Sequence, residues 1–414
     1  MQLGKTKQQE TYTCQSCGYQ KCKVILDLGS QPICNKFLRD PSEFVNEKKY
    51  PLKLIFCPRC KLVQLSELPP REEVFGEDYN YLSGASPSAL KFFEETAKKL
   101  VKTLGLKPGD LVLDIGSNDG SLLLEFKKLG MRVLGVEPAP KPAQIAIERG
   151  IDTIIGYFED SISKIKQVTG GEIKLITAFN VLAHTDRIHQ FLEGVKELLN
   201  DDSVFVSSSH YLKSLVDNLE WDTIYHEHAR YYSLTSLDYL FRSHSIHIFD
   251  AEITDYYGGS ILVYASIKEK RRSERLEKLI SEESYITKYR YLKNFARRVI
   301  KNSSELRALL YRLKSEGKRI VGLGAPMKSS TLLNFCGCDN KVIDYLVEVN
   351  PLKIGTYSPG THIKVVSEDF FLSDKSVDYA LILSWNIAEY IIEKYRSKGY
   401  KGKFIIPIPE VKII

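Results

Sequence analysis

Four cysteines near the start of the chain have the types and spacing to hold one metal ion. Cys14-Gln-Ser-Cys17-Gly18 and Cys57-Pro-Arg-Cys60 are two C-x-x-C knuckles with 39 residues between them. Each knuckle can wrap two thiolates around one cation. The two together make a tetrahedral four-thiolate set suited to a structural zinc ion with no open coordination position. Gly18 suits the tight turn that a knuckle needs, although the insert exceeds the roughly 15–20 residues of a compact ribbon. Six of the eight cysteines lie within the first 60 residues. Residues 1–10 are too polar for a signal peptide's apolar segment, so a cytoplasmic protein is expected, and there clustered cysteines argue for metal rather than disulfides. Cys22 and Cys34 remain as core or partly exposed thiols.

A second set of residues suits an adenosine cofactor. Val112-Leu-Asp114-Ile-Gly116-Ser-Asn118-Asp-Gly120 reads as a buried strand ending in a glycine turn that opens a helix. Glu137 ends the next strand, 21 residues after Gly116. A carboxylate there can accept hydrogen bonds from both ribose hydroxyls. The G-x-G-x-x-G fingerprint of dinucleotide sites is absent, which disfavours NAD. S-adenosylmethionine has no phosphates, and its amino acid end suits Asn118 and Asp119. Phe158 and Asn180, which follow later strands, complete the expected cofactor-binding set of Gly116, Asn118, Gly120, Glu137, Phe158 and Asn180. Asn180 and His184 lie in FNVLAH, at the C-terminal end of a strand, where parallel sheets bind ligands.

The densest polar cluster is Tyr225-His226-Glu227-His228. Imidazoles, a carboxylate and phenols within a few residues can supply a base near neutral pH and donors for an oxyanion. On residue type alone His226, His228, His184 and Glu227 all compete for the role of base. Further on, Gly322-Leu-Gly324-Ala-Pro326-Met-Lys328-Ser329-Ser330 is a strand, a glycine turn, then a lysine and hydroxyls opening a helix. Such a turn can hold phosphate oxygens on backbone N–H groups, although it lacks the spacing of a P-loop. Lys353, Tyr357 and His362 in KIGTYSPGTHI are expected to complete a nucleotide pocket with Lys328 and Ser329.

The elements that must position these residues follow from pattern. The segment to about residue 75 has short apolar runs (VILDLG, LKLIFC, KLVQL) and reads as a small β-rich metal domain. LVLDIG, RVLGVE, TIIG, KLITAFNV and SVFVSSS are strand-like, and helix-like stretches lie between most of them, which specifies a parallel, doubly wound sheet. Residues 268–316 are strongly charged with apolar residues at helical spacing, so two amphipathic helices are expected. RIVGLGAP, VIDYLVEVN, DYALILSW and GKFIIPIP then read as strands of a second, smaller α/β domain. The expected division is 1–75, 76–270 and 271–414.

The chain has 414 residues, more than one hydrophobic core usually supports, with 43% hydrophobic and 27% charged residues. The net charge of +6 and pI near 8.6 are spread along the chain, whereas a nucleic-acid binder would show a denser basic stripe. No apolar run reaches the roughly 18 residues of a membrane span.

With these motifs in place, the chain resembles the S-adenosylmethionine-dependent sugar C-methyltransferases of deoxysugar biosynthesis. The resemblance runs nearly end to end through CQSCG, LDLGSQPICNKFL, FCPRCKLVQL, YNYLSGASPS, DIGSNDGSLL, FNVLAH, DTIYHEHARYYS, YYGGSILVYA, GLGAPMKSSTLLNF and GTYSPGTHI. It implies an α/β chain with a small zinc-binding N-terminal domain, a Rossmann-like class I methyltransferase domain and a second Rossmann-like C-terminal domain. It further implies a nucleotide-linked 4-keto sugar as substrate, usually linked to thymidine diphosphate, methylated on a ring carbon beside the ketone. By resemblance His228 is the base and Glu227 orients groups in the site. Tyr225 and His184 line the sugar and donate toward the enolate oxygen. Tyr79 or Tyr81 closes the pocket, with Tyr79 favoured in the active site and Tyr81 assigned to substrate. Met327 and Ser329 stand where relatives have smaller residues. A monomer is expected, with no nucleic-acid or membrane partner. The rivals are a methyltransferase acting on oxygen, nitrogen or a non-sugar carbon acid, and a zinc-ribbon nucleic-acid-binding module. The first would not need a second nucleotide-type domain, and the acidic residues Asp40, Glu43, Glu47, Glu67, Glu72 and Glu73 near the knuckles oppose the second.

Overall fold

The computed structural model of the chain describes residues 11–74 and 82–414. The apolar runs of the first segment become β1 (Lys23–Pro32), β2 (Lys49–Phe56) and β3 (Val63–Leu65), an antiparallel sheet. Next come β4 (Leu111–Ile115), β5 (Arg132–Glu137), β6 (Thr153–Ile155), β7 (Ile173–Phe179) and β8 (Val204–His210), which pair in parallel. Every residue of β4 is buried, as expected of a strand covered on both faces by helices.

The chain then leaves this sheet. β9 (Arg230–Tyr231) pairs with β3, setting Val63 opposite Tyr231 and Gln64 opposite Arg230. The Tyr225–His228 cluster is thus tethered at its C-terminal side to the metal-knuckle sheet. β10 (His247–Thr254) and β11 (Ser260–Ser266) return to complete a seven-stranded sheet of order β10-β11-β8-β7-β4-β5-β6, with β11 antiparallel to both neighbours.

The charged stretch forms the two expected helices, Glu274–Glu283 and Tyr289–Ser315. They lead to β12 (Ile320–Leu323), β13 (Leu346–Glu348), β14 (Val365–Ser367), β15 (Tyr379–Ile382), β16 (Lys403–Ile406) and β17 (Lys412–Ile413). The order is β14-β13-β12-β15-β16-β17, parallel except for the last strand. The α/β class and the doubly wound central sheet agree with the sequence expectation, whereas β9, β10, β11, β14 and β17 go beyond the strands read there.

Two cores bind the three sheets together. One joins Cys14, Cys57 and Cys60 to Leu113 of the central sheet, to Phe191 of the helix Ile188–Leu198 and to Tyr232 just after β9. The other runs from Ile25 and Leu54 through Trp221, Phe295 and Leu306 into Ile320 and Leu346. Each such large side chain contributes about 1.5–3 kcal/mol when buried. The long helix Tyr289–Ser315 carries Phe295 and Leu306, and its Tyr289 hydroxyl and Lys293 ammonium donate to the carbonyls of Val24 and Ile25. Among the described residues, no helix is long and apolar enough to cross a membrane.

Candidate active site

The two knuckles are built alike. In each, the N–H of the residue four positions after the first cysteine donates to that cysteine's carbonyl, Gly18 to Cys14 and Lys61 to Cys57, at 3.0 Å. Both residues have left-handed backbone, with φ 67° and 65°. The thiol sulfurs of Cys14, Cys17, Cys57 and Cys60 all lie within 4.8 Å of one another, which is the compactness that a tetrahedral zinc ion requires of its ligands. Cys22 is buried beside them, its Sγ 3.5 Å from the Tyr19 carbonyl.

At the end of β4 the chain turns through Gly116, Asn118 and Gly120, all with positive φ. A Cβ on Gly116 would come within 2.5 Å of Val181, so only glycine fits there. Glu137, at the end of β5, is buried and ties the turn down. Its Oε2 accepts from the Asn118 N–H and its Oε1 from the Ala139 N–H, each at 2.8 Å. Burial raises its pKa to about 7. Half of the acceptor capacity of an ionised carboxylate therefore remains, which fits the two hydroxyls of an adenosine ribose. Sequence reasoning missed what covers this turn. The Ser83 and Gly84 N–H groups donate to the Asn118 and Asp119 side chains at 2.9 and 3.0 Å. The only signal in the sequence was the glycine itself, since a Cβ at Gly84 would meet Ser121 Oγ at 2.5 Å.

Asn180 follows β7 with φ 56° and donates its N–H to the Ser208 carbonyl at 2.8 Å. Phe158 departs from expectation. It is buried in the core with its ring centroid 5.0 Å from that of Phe191, because it opens a helix whose inner face packs on the helix Ile188–Leu198. The preceding residue, Tyr157, is the more accessible one, and the Arg71 guanidinium stacks 3.2 Å from its ring centre.

The loop after β7 and the segment between the helical turn Trp221–Thr223 and β9 bring the titratable cluster together. His184 and His228 meet edge to face at 5.0 Å, and Tyr225 lies 4.1 Å from His228. His228 Nδ1 is 2.9 Å from the Thr223 carbonyl. A carbonyl only accepts, so Nδ1 carries the proton and Nε2 keeps its lone pair. Burial, with His184 adding to it, holds the His228 pKa well below the usual value. His184 is pulled to about 4 by burial against a hydrogen bond to the Glu227 backbone. It is therefore neutral, with its second nitrogen an acceptor. Glu227 is buried and raised to about 7, with the Cys34 thiol 3.6 Å from its Oε1 and the Lys353 charge opposing the shift. His226 points elsewhere, its Nε2 at 3.2 and 3.3 Å from the Tyr50 and Pro51 carbonyls of β2. That contact fastens the cluster to the metal-knuckle sheet and sets His226 apart from the packed rings of His184, Tyr225 and His228. A second pair missed in the sequence, His210 with Glu220 at 2.7 Å, ends β8.

The expected nucleotide residues are largely committed to contacts within the protein. Lys328 is enclosed, its ammonium 2.9 Å from Asn386 Oδ1, 3.9 Å from Asp222 Oδ2 and 4.2 Å above the Trp385 ring. The Ser329 hydroxyl donates to the Pro326 carbonyl of its own turn. Tyr357 pairs by backbone with Leu38 and meets Phe44 edge to face, while His362 stacks on Phe44 at 4.0 Å and reaches Glu47 at 3.0 Å. These two seat the helical turn Pro41–Asn46 on the C-terminal sheet. Lys353 lies close enough to the cluster to feel the Glu227 charge. Its ammonium donates to the Ala325 carbonyl at 2.8 Å and feels the charges of both Glu348 and Glu227. Tyr79 and Tyr81 lie outside the described residues.

Comparison with known proteins agrees with this anatomy. Family models match residues 14–75 as a zinc binding domain, 90–244 as a methyltransferase domain and 255–409 as a C-methyltransferase C-terminal domain. C-methyltransferase NovU of Streptomyces niveus is 34% identical over 408 residues, covering 97% of this chain and 96% of the relative. Among solved structures, the magnesium protoporphyrin IX methyltransferase ChlM of Synechocystis PCC 6803 with bound SAH is 17% identical. It covers 44% of this chain and 83% of its own, with a TM-score of 0.35. The PH0226 protein of Pyrococcus horikoshii OT3 is 15% identical, covers 45% and 95%, and has a TM-score of 0.37. Likeness at those scores carries nothing further.

Proposed function

The chain belongs to the C-methyltransferase family that joins a zinc binding domain to a methyltransferase domain and a C-terminal domain, and from that membership we propose that it methylates a ring carbon beside the ketone of a nucleotide-linked 4-keto deoxysugar through an enolate. It is an S-adenosylmethionine-dependent C-methyltransferase with a zinc-binding four-cysteine site. In the proposal, residues 1–75 hold zinc, 76–270 bind S-adenosylmethionine and 271–414 bind the nucleotide end of the sugar.

The observation that carries this reading is the state of His228. Its proton sits on Nδ1 against the Thr223 carbonyl, and Nε2 is unprotonated beside Tyr225 and His184. A neutral imidazole held in one tautomer is a general base for a carbon acid. Nε2 removes the proton from the carbon beside the ketone, and the electron pair moves onto the former carbonyl oxygen. The Tyr225 phenol donates to that oxygen, and donors fixed in advance are worth most where charge develops. His184, neutral, and Glu227 accept from the sugar's hydroxyls and fix its face. S-adenosylmethionine supplies an electrophilic methyl group on its sulfonium. Glu137 holds the cofactor's ribose beside Gly116, Asn118 and Gly120, so that the carbanion and the methyl meet in line.

The test is exchange. With S-adenosylhomocysteine bound and a thymidine diphosphate-linked 4-keto-6-deoxyhexose in heavy water, the wild-type protein takes one deuterium into the carbon beside the ketone, read by mass spectrometry. His228→Asn loses the exchange, and its kcat falls by about 10²–10⁴-fold with little change in binding. Exchange that persists in His228→Asn and vanishes in His184→Asn moves the base to His184. No exchange in the wild type rejects the enolate.

A further inference from the structure

Arg230 opens β9, two residues after His228, and is only 2% exposed. A guanidinium stays charged in a protein, and burying one without a partner charge is costly. Among the described residues no carboxylate forms an ion pair with Arg230, and its Nε is buried without a hydrogen-bond partner. Burial works against its charge, whereas Tyr232, Asp186 and Cys14 work for it. Asp186 is 41% exposed and already lies 3.6 Å from Arg71 Nε, so water screens what it can give. The buried charge that remains is that of the cysteine knuckle.

The backbone brings the two together. Arg230 stands opposite Gln64 of β3. The Gln64 side chain accepts from the Gln15 N–H at 2.8 Å and donates to the Thr13 carbonyl at 3.2 Å, so it holds both neighbours of Cys14. Gln15 and Arg230 line the same cleft. Four thiolates around one divalent ion leave two negative charges in excess, and a filled knuckle supplies what Arg230 lacks.

On its other side the strand fastens the segment that carries His184. Arg230 donates to the Thr185 carbonyl at 2.6 Å, the Ala229 N–H to the Ala183 carbonyl at 2.8 Å and the Tyr232 hydroxyl to the Leu182 carbonyl at 3.0 Å. These three rungs clamp the loop after β7 to the strand after His228, and they set the edge-to-face contact of His184 with His228. Among these rungs only the one from Arg230 also answers to the charge of the knuckle.

We propose that Arg230 is the counter-charge of the four-cysteine metal site and a positioning residue, through which a filled site holds His184 and His228 in register. Only its effect on rate rests on the reading of His228 as base; metal affinity and the order of residues 181–185 and 223–229 do not.

The test uses the full zinc-loaded chain. If Arg230 merely filled space, Arg230→Met would leave the metal untouched, since replacing a buried charge by an apolar side chain is often neutral. Instead zinc affinity, read by competition with a chromogenic chelator, falls about 10–100-fold in Arg230→Met, as for other residues that support metal ligands. Arg230→Lys keeps the cation and binds zinc within about threefold of the wild type. Hydrogen exchange read by mass spectrometry adds the second half. Withdrawing zinc from the wild type, or replacing Arg230 by Met with zinc kept saturating, speeds exchange at 181–185 and 223–229 about tenfold or more and leaves β4 and β5 unchanged. S-adenosylhomocysteine binding is kept, and kcat falls with little change in KM for the sugar nucleotide. Should Arg230→Met fail to fold, Arg230→Gln, neutral yet able to donate to Thr185, shows the same loss of zinc. A neutral variant that binds zinc within about twofold of the wild type, or no more weakly than Arg230→Lys, overturns the proposal. So does wild-type protein whose exchange at the two segments ignores zinc. Weakened zinc binding and faster exchange with an unchanged kcat reject the assignment of the base instead.

Discussion

Lys328 is where the two readings of the chain part most sharply, and replacing it separates them. As a ligand of substrate phosphate it would matter for KM and hardly at all for stability. In the structure its ammonium instead faces Asp222, whose side chain is 0% exposed against 16% for the lysine, at 3.9 Å. Lys328→Ala therefore leaves a buried carboxylate held by the Trp385 indole N–H at 2.6 Å. Breaking a buried pair by removing one partner costs about 3–5 kcal/mol. The long separation and the surviving indole bond bring the expected loss to about 2–3 kcal/mol, or about 5–10 °C in the melting temperature of the cooperative unit concerned. Protonation of Asp222 limits the loss, and this gives a pH signature. Burial already raises the Asp222 pKa, and the Lys328 charge opposes that rise. Without the lysine the folded pKa climbs further above its unfolded value, so the folded state binds the proton more tightly, and stability falls as pH rises through the folded pKa. The variant's deficit is therefore larger at pH 8 than at pH 5. The double variant Lys328→Met/Asp222→Asn should melt above Lys328→Ala, because the orphaned charge is gone. The assay is thermal unfolding followed by circular dichroism at both pH values, with KM for the sugar nucleotide measured alongside. A Lys328→Ala protein that melts like the wild type but shows a raised KM would refute the ion-pair argument and return Lys328 to the substrate.

Other outcomes follow from the same geometry. The purified protein should hold about one zinc per chain, and Cys57→Ser should lose it and loosen the core that Cys57 shares with the central sheet; elemental analysis reads the metal, and active protein without zinc would sink the assignment. Glu137→Ala should weaken S-adenosylhomocysteine binding by about 1.5–3 kcal/mol, measured by calorimetry. Because the Glu137 pKa is raised to about 7 by burial and the carboxylate is the full acceptor, wild-type affinity should rise with pH through about 7 and level off above it, a dependence that Glu137→Ala should lack.

The parts of this protein that were legible in the sequence are those whose cause is local. A C-x-x-C knuckle brings two sulfurs together by the turn between them, and a strand, a glycine turn and a helix fold the same way wherever the run of residue types occurs. Gly116, Glu137 and the four cysteines could therefore be named from spacing, and the two charged helices from their periodicity. Residue type, however, says what a side chain can bond and not what it already bonds. Ser329, Tyr357 and His362 have the chemistry of a nucleotide pocket, yet the chain spends them on Pro326, on Leu38 and Phe44, and on Glu47. His226 and His228 are two positions apart and equally able to take a proton. Only the tertiary structure sends one to the carbonyls of β2 and holds the other by Nδ1 on Thr223. What remains available on a polar atom is set by partners far away along the chain, and folding alone decides which of them arrive.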